Sequence, residues 1–384
     1  VGASSLSNRS GDTMVAYLFA HDAGGFGTAG TDNVISCGSF TTDGSGNATV
    51  NLGWEPQWFL RKRSDSTGDW RIADNMRGWT ALGVSGDGTG VQQVLRPNLS
   101  NSEATFSTVE GITPTGFGCY GMGAGNETYI YIAIRRGPMK TPTSGTSVFS
   151  ANTSSAATGT LLTTNFPVDM QISTARAINV GTQGPTLATR LAGVSTNTTS
   201  VIRGLVTSTT AAESTTNAFD TLNWGNTGFA VSSSLGGASS IYWNFERAPG
   251  FMDVVCYIGT GADRAVSHNL GVVPELIIQK NRTSVNVVEN YWLVGTNFGA
   301  STYRRNWLQA TDAGTSYAYS AGSGFSAAPT ATTFSVTGTY NPSTNPIVAY
   351  LFASCPGVSK VGSYSGTGGT QTISCGFAAR FVMI

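Results

Sequence analysis

The sequence predicts an all-β protein made of tandem antiparallel β-sandwich units of about 110 residues, of the jelly-roll or lectin-like kind. Three observations lead to this fold class. Turn-forming and β-forming residues dominate the polar part of the chain, which holds 49 glycines in 384 residues. No segment has apolar residues at the i, i+3, i+4 and i+7 spacing of an amphipathic helix. One strand-like hexapeptide recurs along the chain at a nearly constant distance.

The recurring segment is "VAYLFA", which occupies residues 15–20 and again residues 348–353. Related segments are "IYIAIR" at 130–135 and "IYWNFE" at 241–246, so the four starts are 115, 111 and 107 residues apart. We therefore expect a window on a longer array. Its parts are the end of a preceding repeat (1–20), repeat unit 1 (21–136), a divergent unit 2 (137–247), unit 3 (248–353) and the start of a further repeat (354–384).

A turn and a strand are repeated with the same internal spacing in units 1 and 3. In each, a proline follows a glycine by three positions and a lysine follows the proline by six, in "LGWEPQWFLRKR" and "LGVVPELIIQKN". The residues are Gly53, Pro56 and Lys62, matched by Gly271, Pro274 and Lys280. A tryptophan comes next in both units, Trp70 and Trp292, whereas unit 2 lacks this pattern. We expect unit 2 to keep the sandwich and to lose the shared loops.

The recurring strand has two faces, because side chains alternate along a strand. One face is large and apolar in every copy, which predicts that it faces the core: Val15, Tyr17, Phe19; Ile130, Ile132, Ile134; Ile241, Trp243, Phe245; Val348, Tyr350, Phe352. The other face varies and is predicted to touch either a second sheet or a neighbouring subunit. Leu18 and Leu351 are the candidate residues of that inter-unit face.

Composition argues against several functional classes. Lys plus Arg and Asp plus Glu are equal at 21 each, which provides no electrostatic footprint for nucleic acid or an anionic membrane. The two histidines, His21 and His268, are far apart, and no cysteine pair has metal-binding spacing. The longest apolar run, residues 347–353, is too short to span a bilayer. We predict no catalytic residues, no metal, no cofactor, no nucleic-acid partner and no membrane insertion.

Candidate ion and carboxylate sites have simpler interpretations. "TTDGSGN" places Asp43, Ser45 and Asn47 at alternate positions, as at the start of a calcium loop, but no closing acidic ligand follows, which favours a hairpin tip. A glycosidase needs two carboxylates facing one cleft. The available acids lie in polar, turn-like segments and are interpreted as solvated charges: Asp65, Asp69, Asp74, Glu103 and Glu110.

Aromatic residues in connecting segments are the remaining candidates for recognition. Flat apolar faces beside hydrogen-bonding groups suit sugars. Trp79 in "MRGWTALG", and Tyr303, Arg304, Arg305 and Trp307 in "TYRRNWLQ", are candidate contacts to a receptor, a glycan or another subunit. Core packing or subunit contact is the favoured interpretation of these residues.

Two longer segments, "YLFASCPGVSKVGSYSGTGGTQTISCGFAARFVMI" and "WFLRKRSDSTGDWRIADNMRG", carry a resemblance to a known family. They resemble repeat domains in virion proteins of tailed bacteriophages, particularly marine and cyanobacterial phages. Ala379 departs from that pattern, because it stands where the other copies have proline. The resemblance implies a structural, non-enzymatic component of the particle and favours an external tail fibre or appendage that supports host attachment; capsid decoration and a tail-needle role are also compatible with it. It also implies a homo-oligomer, a trimer by family analogy, with other virion proteins and a host glycan or receptor as further partners.

Two other functions compete with this expectation. A carbohydrate-binding module array of a secreted bacterial adhesin or enzyme would need an aromatic platform in every unit, and the repeated tryptophan is present in only two of three. A depolymerising tailspike would need a large unrepeated insertion with clustered carboxylates. No such insertion is present in the sequence.

Overall fold

The structure is a computed structural model that describes residues 9–27, 29–82, 91–107, 110–137, 140–154, 159–176, 184–193, 203–214, 221–222, 224–231, 240–283 and 290–384. Its regular elements there are β-strands joined by loops and short 3₁₀ turns. Every pair of named strands is antiparallel, as in the β1–β9, β10–β17 and β18–β26 pairs of the three groups defined below. The predicted all-β sandwich class is confirmed.

The strands fall into three groups, and each strand pairs only within its own group. The predicted units 21–136, 137–247 and 248–353 each enclose one group, and we call the groups units 1, 2 and 3. The number of repeats in the protein stays a prediction.

Unit 1 contains a four-stranded sheet in the order β1-β9-β3-β4, a three-stranded sheet β2-β8-β7 and the hairpin β5-β6. Its strands are β1 (Ile35–Thr41), β2 (Ala48–Asn51), β3 (Pro56–Arg63), β4 (Arg71–Asp74), β5 (Val91–Val94), β6 (Ala104–Ser107), β7 (Glu110–Thr113), β8 (Gly116–Cys119) and β9 (Thr128–Arg135).

Unit 2 contains a five-stranded sheet in the order β10-β17-β12-β13-β14 and a three-stranded sheet β11-β16-β15. Its strands are β10 (Phe149–Ser154), β11 (Leu161–Thr163), β12 (Met170–Ala175), β13 (Thr186–Thr189), β14 (Gly204–Val206), β15 (Thr221–Leu222), β16 (Gly228–Val231) and β17 (Ser240–Phe245).

Unit 3 contains a six-stranded sheet in the order β18-β26-β20-β21-β22-β23 and a three-stranded sheet β19-β25-β24. Its strands are β18 (Met252–Ile258), β19 (Arg264–Ser267), β20 (Leu276–Asn281), β21 (Leu293–Thr296), β22 (Thr302–Trp307), β23 (Thr315–Ala318), β24 (Phe325–Ala327), β25 (Thr333–Val336) and β26 (Pro346–Phe352).

The recurring segment is an interior strand of the larger sheet in all three units, second in the strand order. β9 pairs with β1 and β3, β17 with β10 and β12, and β26 with β18 and β20. Each unit packs this sheet against its smaller sheet with aromatic and aliphatic side chains between them. In unit 1, Phe117 of β8 lies 4.5 Å from Phe59 and 5.1 Å from Tyr131, measured between ring centroids.

The face predicted to line the core does not pack on the smaller sheet, although Phe245, Val348 and Tyr350 of that face are buried in a hydrophobic cluster between units 2 and 3. Tyr131 and Ala133 of β9 and Tyr242 of β17 are buried between the sheets, whereas Ile130 is 42% exposed on the opposite side. In unit 3 the core between the sheets likewise holds Leu351. We call the side turned away from the smaller sheet the outer face. Alternation defines two faces of a strand but does not show which of them is inward, and the outer face is also apolar because units pack on one another through it.

The predicted glycine turn is present with one conformation in three places. Gly53, Gly271 and Gly376 have φ values of +76°, +75° and +81°, in the left-handed region that side chains with a Cβ rarely adopt. The shared spacing therefore reflects a shared backbone turn. The same turn is present at Gly376 in the C-terminal segment, although residues 361–384 form no strand.

The first copy of the hexapeptide is not paired with any strand. Residues 12–20 have no regular structure, and Leu18 is 93% exposed. Leu351, its equivalent in β26, is fully buried against the second sheet of unit 3, among residues that include Phe334 and Val336. Of the two options that the sequence left open for this face, Leu351 contacts the second sheet, and contact of exposed Leu18 with a neighbouring subunit stays a prediction.

Candidate functional site at the contacts between units

Units 2 and 3 pack through the outer faces of their larger sheets. The unit 3 side presents Met252 and Val254 of β18, Val348 and Tyr350 of β26, and Ile278 of β20, all buried. The unit 2 side belongs to the same hydrophobic cluster and consists of Phe149, Met170, Leu187, Leu205 and Phe245. The rings of Phe245 and Phe352 meet edge to face, 6.2 Å apart. Burial of apolar area on this scale makes the two units one packed body.

A polar seam runs along one side of this contact. Trp292 is fully buried, and its Nε1 donates to the carbonyls of Val206 and Thr209 in unit 2, at 3.2 and 3.1 Å. Nζ of Lys280 donates to the Asn281 carbonyl at 2.7 Å, and burial lowers the pKa of this lysine to about 8. The repeated Lys and Trp therefore serve the contact between units.

The same seam contains an ion pair across the two units. Nε of Arg282 in unit 3 donates to Oε1 of Glu213 in unit 2 at 2.9 Å, and both side chains are buried. Another nitrogen of the same guanidinium donates to the Ala192 carbonyl at 3.3 Å. The pairing fixes the position of unit 3 relative to unit 2, because a planar guanidinium can donate two hydrogen bonds to a carboxylate only within a narrow range of positions.

A second buried network joins all three units. Arg247, at the end of unit 2, makes a bidentate contact to Glu55 of unit 1, with both N–O distances at 2.9 Å. Its backbone N–H donates to Oδ2 of Asp169 at 2.8 Å, and Asp253 of unit 3 lies 3.9 Å from its NH1. Arg136 lies 3.4 Å from Glu55 and 3.7 Å from Asp253.

The network is balanced in charge. Arg190 lies 3.7 Å from Asp169, so three arginines face three carboxylates, Glu55, Asp169 and Asp253. Burial alone would lower the pKa of Arg247, but the three carboxylates outweigh it and raise that pKa above its ordinary value. Every member is nine-tenths buried or more, so removing one partner would strand a charge away from water.

Sequence reasoning missed these residues. Arg136 and Arg247 stand at the same repeat position, two residues after Ile134 and Phe245 at the ends of their strands, which is the one signal that could have found them. Glu55 and Arg247 are 192 positions apart, and nothing local in the sequence links them.

The structure buries two of the aromatic candidates from the sequence and leaves the third partly exposed. Trp79 is fully buried and stacks on Phe59 at 5.2 Å, and Tyr303 is buried in the core of unit 3. A surface role is therefore wrong for these two residues, while core packing, the favoured interpretation, describes both. Arg304 is exposed on the other side of β22, away from Tyr303.

Trp307 remains partly exposed at the edge of unit 3, beside a stacked arginine. The guanidinium of Arg305 lies 4.8 Å from the Trp307 ring and 3.7 Å from the Tyr317 ring. One of its nitrogens donates to the Ser323 carbonyl at 2.8 Å, which holds the guanidinium in place. Tyr291 packs on Trp307 at 5.0 Å. Such a group of rings and donors suits a sugar contact, and this role stays a prediction.

The loop around Asp43 is closed on itself. Oδ1 of Asp43 accepts from the backbone N–H groups of Ser45 and Asn47 at 2.8 and 2.9 Å, and Oδ2 accepts from Nδ2 of Asn47 at 3.1 Å. These bonds make a hairpin tip. The bond from the Asn47 N–H is the main cause of the lowered pKa of Asp43, and that from Ser45 adds to it.

The other carboxylates named from the sequence have partners too. Glu110 pairs with buried Arg61, and Asp65 with Arg63. Asp74 and Glu103 both pair with Arg77, and Asp69 lies 3.6 Å from Arg96. Among the described residues no group of three or more His, Cys, Asp and Glu side chains could hold a metal ion. No helix in that part of the chain is long and apolar enough to cross a bilayer.

Comparison with known proteins adds a family and no activity. No curated protein matches the chain. One family model, described as a domain of unknown function (DUF7483), matches residues 1–138 and 188–384. The unmatched residues, 139–187, are the first part of divergent unit 2. Because the matched segments cover most of the sequence, the chain belongs to the DUF7483 family of domains of unknown function.

Proposed function

We propose that the protein is a structural component of a tailed-bacteriophage virion, a tail fibre or similar external appendage that supports host attachment. The observation that carries the proposal is the way the units are joined. Units 2 and 3 share a buried sheet-to-sheet contact, and Glu55, Arg247 and Asp253 tie all three units together. Units joined in this way resist movement relative to one another, which is what an appendage requires.

The repeated motifs that resemble phage virion domains support the same proposal. The shared left-handed turn at Gly53, Gly271 and Gly376 adds a structural likeness among the copies. We assign no enzymatic activity, cofactor, nucleic-acid partner or membrane insertion. The partners are other copies of this chain, other virion proteins and a host surface glycan or receptor.

Immunogold electron microscopy tests the proposal, with antibodies raised against this chain and particles from its source. We expect label along thin tail appendages. Label on the head would make the protein a capsid appendage. Label on cells that carry no particles would contradict a virion role and favour the adhesin.

The competing function, a carbohydrate-binding array, is favoured by one observation, the partly exposed Trp307 beside stacked Arg305. A glycan array probed with the intact chain tests it. Binding that disappears in Trp307→Ala, but persists in a matched change of exposed Tyr364, would support recognition at this edge. Absence of binding to any glycan would remove the support for this alternative.

A further inference from the structure

The outer face of the larger sheet in unit 1 carries a continuous apolar surface. The strand register places its side chains in rows across β1, β9, β3 and β4. We call these residues the unit 1 face: Ile35, Cys37, Ile130, Ile132, Ile134, Trp58, Leu60 and Ile72. All are partly exposed, and Ile130 is 42% exposed. An apolar surface of this extent on a sheet is typical of an interaction site.

This face has an equivalent in unit 3, position by position. Ile132 of β9 lies between Cys37 and Leu60, just as Tyr350 of β26 lies between Val254 and Ile278. The same registers match Ile35 with Met252, Trp58 with Leu276, Ile134 with Phe352, and Ile130 with Val348. The two faces are therefore the same surface of the same fold.

The repeated lysine and tryptophan belong to both faces. Nζ of Lys62 donates to the carbonyl of the next residue at 2.6 Å, and Nζ of Lys280 does the same at 2.7 Å. Trp70 immediately precedes β4, as Trp292 precedes β21. In unit 3 both side chains are buried against unit 2, whereas in unit 1 both are partly exposed. Lys62 therefore makes in unit 1 the same hydrogen bond that Lys280 makes in the covered face of unit 3.

The structure also shows what covers such a face. In unit 3 the outer face is packed against the outer face of the larger sheet in unit 2. That contact covers the unit 3 face, and the unit 2 face is covered by unit 3 together with Phe381 of the C-terminal segment, whose ring lies 5.8 Å from Phe245 and 5.6 Å from Trp243. Within the described residues, the unit 1 face is the outer face that no other unit packs against, and a second copy of this chain offers the same face. Contact through a single self-matching patch produces a closed two-fold pair.

We propose that the unit 1 face binds the unit 1 face of a second copy of this chain, forming a two-fold dimer. The proposal deepens the self-association in the proposed function, on which it rests, and replaces the trimer expected from the resemblance. Its failure would leave the immunogold result unchanged, so the two can fail separately.

The first test measures the mass of the chain in solution by light scattering after size-exclusion chromatography, over a range of concentrations. We expect a dimer for the original chain. Ile130→Asp places a carboxylate at the most exposed apolar residue of the unit 1 face, and the dimer dissociation constant should rise by about a hundredfold or more. Because Ile130 is partly exposed, the melting temperature of the monomeric chain should change little. Leu161→Asp, at an exposed leucine of unit 2, is the matched control and should leave the mass unchanged.

A second readout uses the cysteine within the face. Cys37 is partly exposed, as is Cys375 near the C-terminal end, whereas Cys119, Cys256 and Cys355 are buried. Dimerisation should slow maleimide labelling of Cys37 about tenfold relative to Cys375, and Ile130→Asp should restore the faster rate.

Three results would overturn the proposal. One is a monomer at every concentration with an unchanged rate at Cys37. Another is a trimer whose mass is unaffected by Ile130→Asp. The third is loss of the dimer on Leu18→Asp but not on Ile130→Asp, which would assign the association to exposed residues 15–20 instead.

Discussion

The two copies of "VAYLFA" have the same six residues and opposite environments. In the second copy, residues 348–352 belong to β26, an interior strand of a six-stranded sheet that is paired on both sides, and Leu351 is fully buried. At 15–20 the segment is unpaired, and Leu18 is 93% exposed. The difference shows that the hexapeptide becomes a strand only where two neighbours supply its hydrogen bonds and a second sheet covers it.

The largest effect that this comparison predicts is at the two leucines. Leu351→Asp buries a carboxylate among apolar side chains in the core of unit 3, and we expect a loss of about 5 kcal/mol or more in the free energy of unfolding. Urea unfolding followed by circular dichroism measures it. Leu18→Asp is the matched control, with an expected change within about 0.5 kcal/mol. Equal losses in the free energy of unfolding for Leu351→Asp and Leu18→Asp would show that the two leucines do not differ in burial.

The next effect concerns the buried charge network that joins the three units. Glu55→Gln removes the carboxylate that faces Arg136 and Arg247, and we expect the free energy of unfolding to fall by about 3 to 5 kcal/mol. Chemical unfolding measures the loss. Asp12→Ala breaks the exposed pair of Arg9 and Asp12, 3.9 Å apart, and should change the free energy by less than about 0.5 kcal/mol. A small effect of Glu55→Gln would mean that the contacts of Glu55 with Arg136 and Arg247 add little to the stability of the junction.

A third effect is a pH dependence that comes from the core of unit 3. Burial lowers the pKa of His268 to about 4, and the hydrogen bond to the Thr330 carbonyl offsets part of this shift. The unfolded chain therefore binds a proton between about pH 6.5 and 4 that the folded chain does not. Stability from this group is complete above pH 6.5 and is lost as the pH falls towards 4, by on the order of 3 kcal/mol.

Glu246 acts in the opposite direction in the same range. Burial and then Asp169 raise the pKa of Glu246 to about 7, so its contribution is present at acid pH and is lost as the pH rises from about 4.5 to 7. The contribution of His268 is isolated by comparing the original chain with His268→Gln in urea unfolding from pH 4 to 7.5. If the two chains lose stability in parallel over that interval, His268 is not the titrating group.

The smallest effect compares the two repeated tryptophans. Trp292→Phe leaves the Val206 and Thr209 carbonyls without their donor in a buried contact, and we expect a cost of about 2 kcal/mol. Trp70→Phe, at the equivalent and partly exposed position, should cost less than about 1 kcal/mol. Denaturation monitored by circular dichroism measures both. If Trp70→Phe costs as much as Trp292→Phe, the unit 1 face is covered within a single chain.

The class, the spacing of the units and the repeated turn at Gly53 and Gly271 could be predicted from the sequence, because each depends on residues close together in the chain. The assignment of faces could not. A period of two separates Ile130 from Tyr131 without saying which one points inward, and in a multi-unit protein both sides of a sheet are apolar. Trp79 shows the same limit, since it lies in a loop after a 3₁₀ turn while its contact, Phe59, comes from β3, 20 positions earlier in the chain.

The junction residues were beyond prediction for a different reason. Glu55, Asp169 and Asp253 belong to three separate units, and their partnership exists only once those units are placed. Charged residues near strand ends are ordinarily exposed to solvent, so residue type alone favoured exposed positions for these residues and not buried ones.

The pairing of Arg282 with Glu213, beside the packed sheets of units 2 and 3, determines how the chain would respond to force. A pull that separates unit 3 from its neighbours has to slide one sheet over another and to part the guanidinium from its carboxylate at the same moment. Contacts that must break together resist tension until a threshold and then yield at once, whereas a flexible tether stretches from the start. A drag on one end of such a chain would therefore reach the other end with little loss.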